Sequence, residues 1–406
     1  MSDLLNVYLN KDFIGVLSKD SNGGICFQYD KKAKRALSLS LPLRENIYPN
    51  KDCKGFFNGL LPESEQVRVF IGKRYGINPK NDFSLLQAIG YDCAGAVAFF
   101  KDKPKNLKEF HRIKGKILSE TELEKYINEL PKKPLAVGSD KRLSLAGAQD
   151  KTAVVTIKNK IAIPDDTIPS TNILKPAIQG FGETIENEYI CLKSAEKIGI
   201  SIPKIEIGKA NNTKYFLIER YDREIKDGKI KRIHQEDFCQ ASNIPSAYKY
   251  QSEGGVDFKR CIEILKSTTK PAVAIKQFVE MVIFNYLIGN NDAHGKNFSI
   301  LHYDDDTTAF APAYDILCTS VYPELSQKMA MKIGGYYESD KIYPRHFERM
   351  AKDIGISYTQ IKKILKNQCE ILPDIVKEVS ETFENSVGEK ILQVVSENCT
   401  RNLKNF

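Results

Sequence analysis

The feature that most constrains this chain is a change of texture along it. Between residues 152 and 219, short β-branched or aromatic runs recur at 152–157, 161–163, 172–175 and 215–219. They enclose one amphipathic stretch, residues 183–198, whose Ile185, Tyr189, Leu192 and Ile198 share a face at helical spacing. Gly199 fits its C-terminal cap. From about residue 235 helical periodicity dominates except near 298–317, and beyond that the chain reads as helices interrupted at Gly355 and Pro373. A small sheet carrying one helix, followed by a helical lobe, is an α+β order also seen in two-lobed phosphotransferases. At that level it is an analogy of fold and fixes no function.

Upstream, Leu5, Val7 and Leu9 alternate, residues 10–12 turn, and 13–17 return as a hairpin. Residues 38–41 alternate again and stop at Pro42. Residues 58–99 look helical, with Val67, Phe70, Ile71 and Tyr75 at helix spacing. A lysine-rich surface connection (101–116), a short helix (120–130) and a linker at Pro131, Lys132, Lys133 and Pro134 follow. The 406 residues suit two or three domains. The expected division is an N-terminal α/β domain over 1–105, a connection over 106–139, a sheet-plus-helix lobe over 140–225, and an all-helical lobe over 226–406.

Composition removes several classes. With 42% hydrophobic and 28% charged residues, a wholly disordered chain is excluded. No uninterrupted apolar run approaches the ~18 residues of a membrane span, so no membrane partner is expected. Residues 1–10 lack the basic and apolar regions of an export signal, which points to a cytoplasmic protein. Nine cysteines, the nearest two (Cys239 and Cys261) 22 apart, support neither a zinc finger nor a disulfide scaffold. The net charge of +8 permits an acidic partner such as nucleic acid without requiring one.

The chemistry concentrates in residues 290–297. They follow an apolar helix whose Phe278, Val279, Val282, Ile283, Tyr286 and Leu287 share a face and which Gly289 can end. Asn290, Asn291, Asp292, His294, Lys296 and Asn297 then precede an apolar run at 298–301. Polar residues wedged between two buried elements face solvent or a cleft at a fixed place. Asp292 and Asn297 are five apart, the spacing of the catalytic Asp and Mg²⁺-binding Asn of protein kinases. Such an Asp takes or orients an acceptor hydroxyl proton, the amide oxygen holds a metal against phosphates, and Lys296 adds a cation where charge develops. Taken alone, a polar helix-ending loop would read the same way.

Asp315 ends an apolar, strand-like run 18 residues after Asn297, where a second metal carboxylate would sit, although an Asp after an aromatic also begins turns. Lys175 ends an extended run before Pro176 and could pair with phosphates, and Glu188 on the following helix could orient it, with Glu183 and Glu186 as rivals. Residues 144–151 (SLAGAQDK) contain small residues that let backbone N–H groups approach phosphate oxygens. Ser144 there has basic neighbours in Lys141 and Arg142 and is a conceivable phosphoacceptor.

Together, residues 144–151, 170–176 (STNILKP), 219–223 (ERYDR), 291–297 (NDAHGKN) and 314–316 (YDI) resemble the HipA-type serine/threonine kinase toxins in order and spacing. So do residues 37–43, 58–63, 95–97, 250–255 (YQSEGG) and 342–347, so the likeness spans nearly the whole chain.

The resemblance implies a protein-kinase-like two-lobed fold with a small N-terminal α/β extension. It implies ATP beneath Ala146, Gly147, Ala148, Gln149, Asp150 and Lys151, with Lys175 on its phosphates and the backbone of Glu219, Arg220 and Tyr221 on the adenine edge. It makes Asp292 the catalytic base, sets His294, Lys296 and Asn297 around the phosphates, and gives Mg²⁺ to Asn297 and Asp315. It further implies autophosphorylation at Ser144 that ejects the nucleotide loop and inactivates the kinase. The implied partners are a small helix-turn-helix antitoxin of the HipB type, operator DNA mainly through that antitoxin, and a protein substrate such as an aminoacyl-tRNA synthetase. Phosphorylation of that substrate would halt translation and favour persistence. Ala293 stands where relatives vary, and no key position is lost, so a pseudokinase is not favoured. Two other classes compete: a catalytically silent, DNA-linked corepressor subunit, and a small-molecule kinase.

Overall fold

The computed structural model describes residues 4–104, 107–108, 110–130, 149–165, 168–384 and 386–405. The expected linker at Pro131–Pro134, together with Ser144, Ala146, Gly147 and Ala148, lies outside the described residues. The chain forms two units: Met1–Pro176, Gly208–Ala247 and Leu301–Asp306 in unit 1, and Ala177–Ile207, Tyr248–Ile300 and Thr307–Phe406 in unit 2.

Unit 1 opens with the expected hairpin, β1 (Leu4–Leu9) and β2 (Asp12–Lys19). β3 (Ile25–Tyr29) follows, then α1 (Asn50–Gly59), α2 (Glu65–Tyr75), α3 (Asp82–Ile89) and β4 (Val97–Phe100). The caps are local: Ser64 and Asn81 accept the N3 amides of α2 and α3, and Gly76 ends α2 at φ +64°. The sheet order is β3-β2-β1-β4, and its buried face meets the helices over Phe27, Phe56, Phe57, Phe83 and Phe99. Two expectations need correction here. Residues 97–100 are strand rather than helix, because a short, fully apolar run carries no period that separates the two. Residues 38–41 make one isolated bridge, not a strand.

β5 (His111–Arg112) and β6 (Gly115–Ile117) fall in the lysine-rich connection, and α4 (Glu120–Glu129) opens on a Ser119–Glu122 capping box. β7 (Thr152–Ile157), β8 (Lys160–Pro164), β9 (Asn172–Lys175), β10 (Ile205–Ala210) and β11 (Thr213–Glu219) cover every expected run. Their sheet runs β10-β11-β9-β7-β8-β6. Leu123, Tyr126 and Ile127 of α4 join its core with Val154, Leu174 and Leu217. β12 (Arg223–Lys226), β13 (Lys229–Arg232) and β14 (His234–Asp237) follow in the same unit.

Unit 2 holds α5 (Thr184–Lys197), α6 (Phe258–Lys266), α7 (Pro271–Ile288), α8 (Pro344–Ile354), α9 (Tyr358–Ser380) and α10 (Val387–Leu403). α7 starts with Pro271 at its first position and ends at Gly289, φ +77°. Its length and hydropathy would suit a membrane span, but most of its apolar residues are buried within the unit and Lys276 pairs with Glu280 at 3.2 Å. Pro373 does not interrupt α9. The buried stripe Ile361, Leu365, Cys369, Leu372, Val376 and Val379 runs straight through it, and that burial outweighs the ~3 kcal/mol of a helical proline.

The region expected to be all-helical also contains strands: β15 (Ser299–His302), β16 (Thr308–Phe310), β17 (Lys328–Ile333) and β18 (Tyr336–Glu338). Gly334 and Gly335, at φ +56° and +97°, close the β17–β18 hairpin. A two-glycine turn is a local hairpin signal, here overshadowed by the helical periodicity around it.

Candidate active site

In unit 1, β9 and β11 pair antiparallel, with Lys175 opposite Phe216 and Asn172 opposite Glu219. Lys175 and Glu219 therefore stand at opposite ends of one ladder, about 10 Å apart along the strands. Lys175 is only 4% exposed, which is unusual for lysine outside a paired or functional setting. The Arg220 backbone N–H donates to Thr171 O at 2.9 Å, so of the three expected adenine-edge residues only Glu219 and Tyr221 keep their backbone edge outside that bond. Gln149, Asp150 and Lys151 lead into β7, and burial raises the Asp150 carboxyl.

The Arg220 side chain turns inward instead. It donates to Asp222 at 2.9 and 2.7 Å, to Ser170 Oγ at 2.9 Å and to Cys93 O at 3.0 Å. Arg223 reaches Asp92 at 2.8 Å and Ser170 O at 3.1 Å, and Asp92 accepts both the N–H and the Oγ–H of Ser170 at 3.0 and 2.7 Å. Burial alone would push the Asp92 carboxyl up. The guanidiniums of Arg223, Arg220 and Arg232 outweigh it and hold the carboxyl well below the usual carboxylate range. Much of the ERYDR stretch thus works as a buried charge cluster, a role its spacing did not announce.

In unit 2 the polar loop after α7 is held from several sides. Asn290 Nδ2 donates to Asn285 Oδ1 at 2.8 Å, and Asn291 N–H to Thr319 Oγ1 at 2.8 Å. Asp292 N–H donates to Asn290 Oδ1 at 3.1 Å, and its carboxylate lies exposed. A one-turn 3₁₀ helix, Gly295–Asn297, follows. Asn297 Oδ1 accepts the His294 N–H at 3.1 Å, and the Asn297 N–H returns to His294 O at 2.9 Å. His294, Lys296 and Asn297 are all at least nine-tenths buried. Burial first, then Lys249 and Lys296, holds the His294 imidazole well below its ordinary value against the pull of Asp315, so it is neutral at pH 7.

Asn297 and Asp315 come together, with Nδ2 to Oδ2 at 3.4 Å. Tyr314 locks the two segments, its hydroxyl donating to Lys296 O at 2.7 Å and meeting Ser299 Oγ at 2.6 Å. Residues 311–316 are not a strand, correcting the expectation. The backbone leaves β16 and reaches Asp315 in the left-handed region, φ +59°. A non-glycine residue there costs of order 1–3 kcal/mol, and such strain clusters at functional sites.

The contact is made by the amide nitrogen, while Asn297 Oδ1 accepts the His294 N–H; an amide oxygen and a carboxylate on neighbouring residues are nonetheless the hard oxygen donors that suit Mg²⁺. That ion takes one or two protein ligands and completes its shell with phosphates and water. Among the described residues no group of three His, Cys, Asp or Glu is placed to hold a metal ion. Of the three candidate glutamates on α5, Glu183 is committed elsewhere: its carboxylate accepts Ser386 Oγ–H and Val387 N–H at 2.9 Å, at the start of α10. Glu188 is 1% exposed and Glu186 6%. Sequence reasoning gave no role to Tyr250, whose hydroxyl donates to Asp292 Oδ1 at 2.5 Å. Its signal was the YQSEGG stretch, noted only as a likeness.

Comparison with known proteins places the chain in a family. The profile of the HipA N-terminal domain matches residues 5–100, and that of the HipA-like C-terminal domain residues 143–376. Y4mE of Sinorhizobium fredii, which bears a provisional kinase name, is 38% identical over 388 residues, covering 93% of this chain and 92% of that protein. The serine/threonine-protein kinase toxin HipA of Shewanella oneidensis is 27% identical over 401 residues, covering 92% and 89%. A chain of the solved Shewanella oneidensis MR-1 complex of HipA, HipB and operator DNA superposes with a TM-score of 0.86 at 25% identity, covering 98% and 97%. The chain belongs to the HipA family of serine/threonine kinase toxins and has its kinase-like fold.

Proposed function

We propose that this chain is an ATP- and Mg²⁺-dependent serine/threonine protein kinase, the toxin of a toxin–antitoxin pair. The observation that carries the reading is the joining of Asn297 to Asp315 at 3.4 Å on a loop whose exposed carboxylate is Asp292. ATP would supply the phosphoryl group and Mg²⁺ would neutralise charge on its phosphates. Asp292 accepts the acceptor hydroxyl's proton. Asn297 and Asp315 present the metal-binding oxygens, and Lys296 and Lys175 offset phosphate charge. Neutral His294 contributes shape and hydrogen bonding rather than charge. Glu188 orients Lys175, the backbone edges of Glu219 and Tyr221 take the adenine, and residues 146–151 cover the phosphates.

In this reading the domains are 1–105, 106–139, 140–225 and 226–406, and Ser144 is the autophosphorylation site that shuts the kinase down. A HipB-like antitoxin binds this chain and carries it to operator DNA in the cytoplasm. The acceptor is a component of translation, with an aminoacyl-tRNA synthetase first among candidates.

Radiolabelled ATP and Mg²⁺ added with the purified chain to cell lysate test the substrate class. New labelled protein bands are expected. Label confined to small molecules would point to a small-molecule kinase, and no transfer together with no nucleotide binding would point to a silent corepressor.

A further inference from the structure

Residues 249–251 precede α6 and lie against the polar loop at several points. Lys249 O accepts the Gly295 N–H at 3.4 Å. The Tyr250 ring meets the His294 ring edge-on, with centroids 5.3 Å apart and planes at 87°. Gln251 Oε1 accepts the Lys332 N–H at 2.8 Å, and in the same strand, β17, Ala330 N–H donates to Asn291 O at 2.8 Å. The segment and the loop are thus joined directly and also through one strand. At the centre of this clamp the Tyr250 hydroxyl donates to Asp292 Oδ1 at 2.5 Å. That length belongs to a charge-assisted O–H···O⁻ bond.

An exposed aspartate on a loop samples several rotamers. A base must instead present one oxygen to the acceptor at hydrogen-bonding distance. We propose that Tyr250 is a positioning residue for Asp292: its phenol holds Oδ1 and so fixes the orientation in which the carboxylate meets the acceptor hydroxyl. This rests on the reading of Asp292 as the base. The acceptor oxygen forms its bond to the γ-phosphorus as the bond to the β–γ bridging oxygen breaks. The acceptor proton passes to the Asp292 carboxylate, and the Tyr250 proton stays on the phenol.

The test compares wild type, Tyr250→Phe, Asp292→Asn and the double variant in autophosphorylation with labelled Mg-ATP, at single turnover with enzyme in excess so that residual rates are measurable. Tyr250→Phe removes one hydroxyl and keeps the ring on His294. It is expected to slow transfer about 10- to 100-fold, as losing a hydrogen bond to a charged group does. The KM for ATP and the melting temperature should stay at wild-type values, and the second substitution should add nothing in the Asp292→Asn background. A packing role would instead slow both backgrounds equally, and that result overturns the proposal. Wild-type turnover in Tyr250→Phe beside an impaired Asp292→Asn overturns this inference alone. Undiminished turnover in Asp292→Asn overturns the base assignment and this inference with it.

Discussion

Asp92→Asn should loosen the strand that ends in Lys175. Asp92 is 0% exposed and faces three guanidiniums: Arg223 at 2.8 Å, Arg232 at 3.6 Å and Arg220 at 3.7 Å. It also accepts both donors of Ser170, two residues before β9 begins. Asparagine keeps the shape but removes the charge and turns an N–H₂ toward existing donors. Asp222 would then be the cluster's one carboxylate against three arginines. Breaking a buried ion pair by removing one partner costs about 3–5 kcal/mol. That corresponds to amide exchange about 10²- to 10⁴-fold faster wherever exchange needs the cluster to open. Hydrogen exchange with mass spectrometry on peptides covering 168–176 and 219–223 reads this directly. The folded pKa of Asp92 is depressed, so its contribution is present above the unfolded carboxylate value of ~3.9 and lost as pH falls below it. Acid should therefore mimic the variant. Exchange in Asp92→Asn equal to wild type at pH 7 would show that the cluster does not hold this part of the fold.

Two further outcomes are expected. Burial first, with His302 next, pushes the His234 imidazole down to about 3. The unfolded chain therefore takes a proton below pH ~6.5 that the folded chain refuses, and stability should drop by about 2 kcal/mol between pH 7 and pH 5. Urea unfolding of wild type and His234→Gln would check it, and equal pH slopes would refute it. Of the nine cysteines, eight are buried and Cys26 is partly exposed, while burial first raises the Cys53, Cys93 and Cys318 thiols to about 12. A thiol reagent should find one fast site in the native chain and nine after denaturation, and several fast sites would contradict this burial.

What the sequence made legible was what is decided locally. β7, β9 and α5 follow from short-range pattern, and α7 from its apolar face and Gly289. The meeting of Asn297 and Asp315 was readable because they sit on one loop and the next segment. Long-range partners were not readable. Asp92 meets Ser170 across 78 residues and Arg223 across 131, and Tyr250 meets Asp292 across 42. No period or spacing encodes such pairings; tertiary packing makes them. The left-handed turn at Asp315 was equally hidden, since an aspartate in sequence looks the same whether its backbone is extended or strained.

The central claim is that the loop after α7 transfers phosphoryl groups through Asp292. Its most direct measurement is mass spectrometry of the purified chain after incubation with Mg-ATP, in wild type and in Asp292→Asn. The account predicts phosphate on the 142–151 peptide of wild type, at Ser144, and far less on that peptide in Asp292→Asn after the same incubation. Equal phosphate on that peptide in both proteins would contradict it.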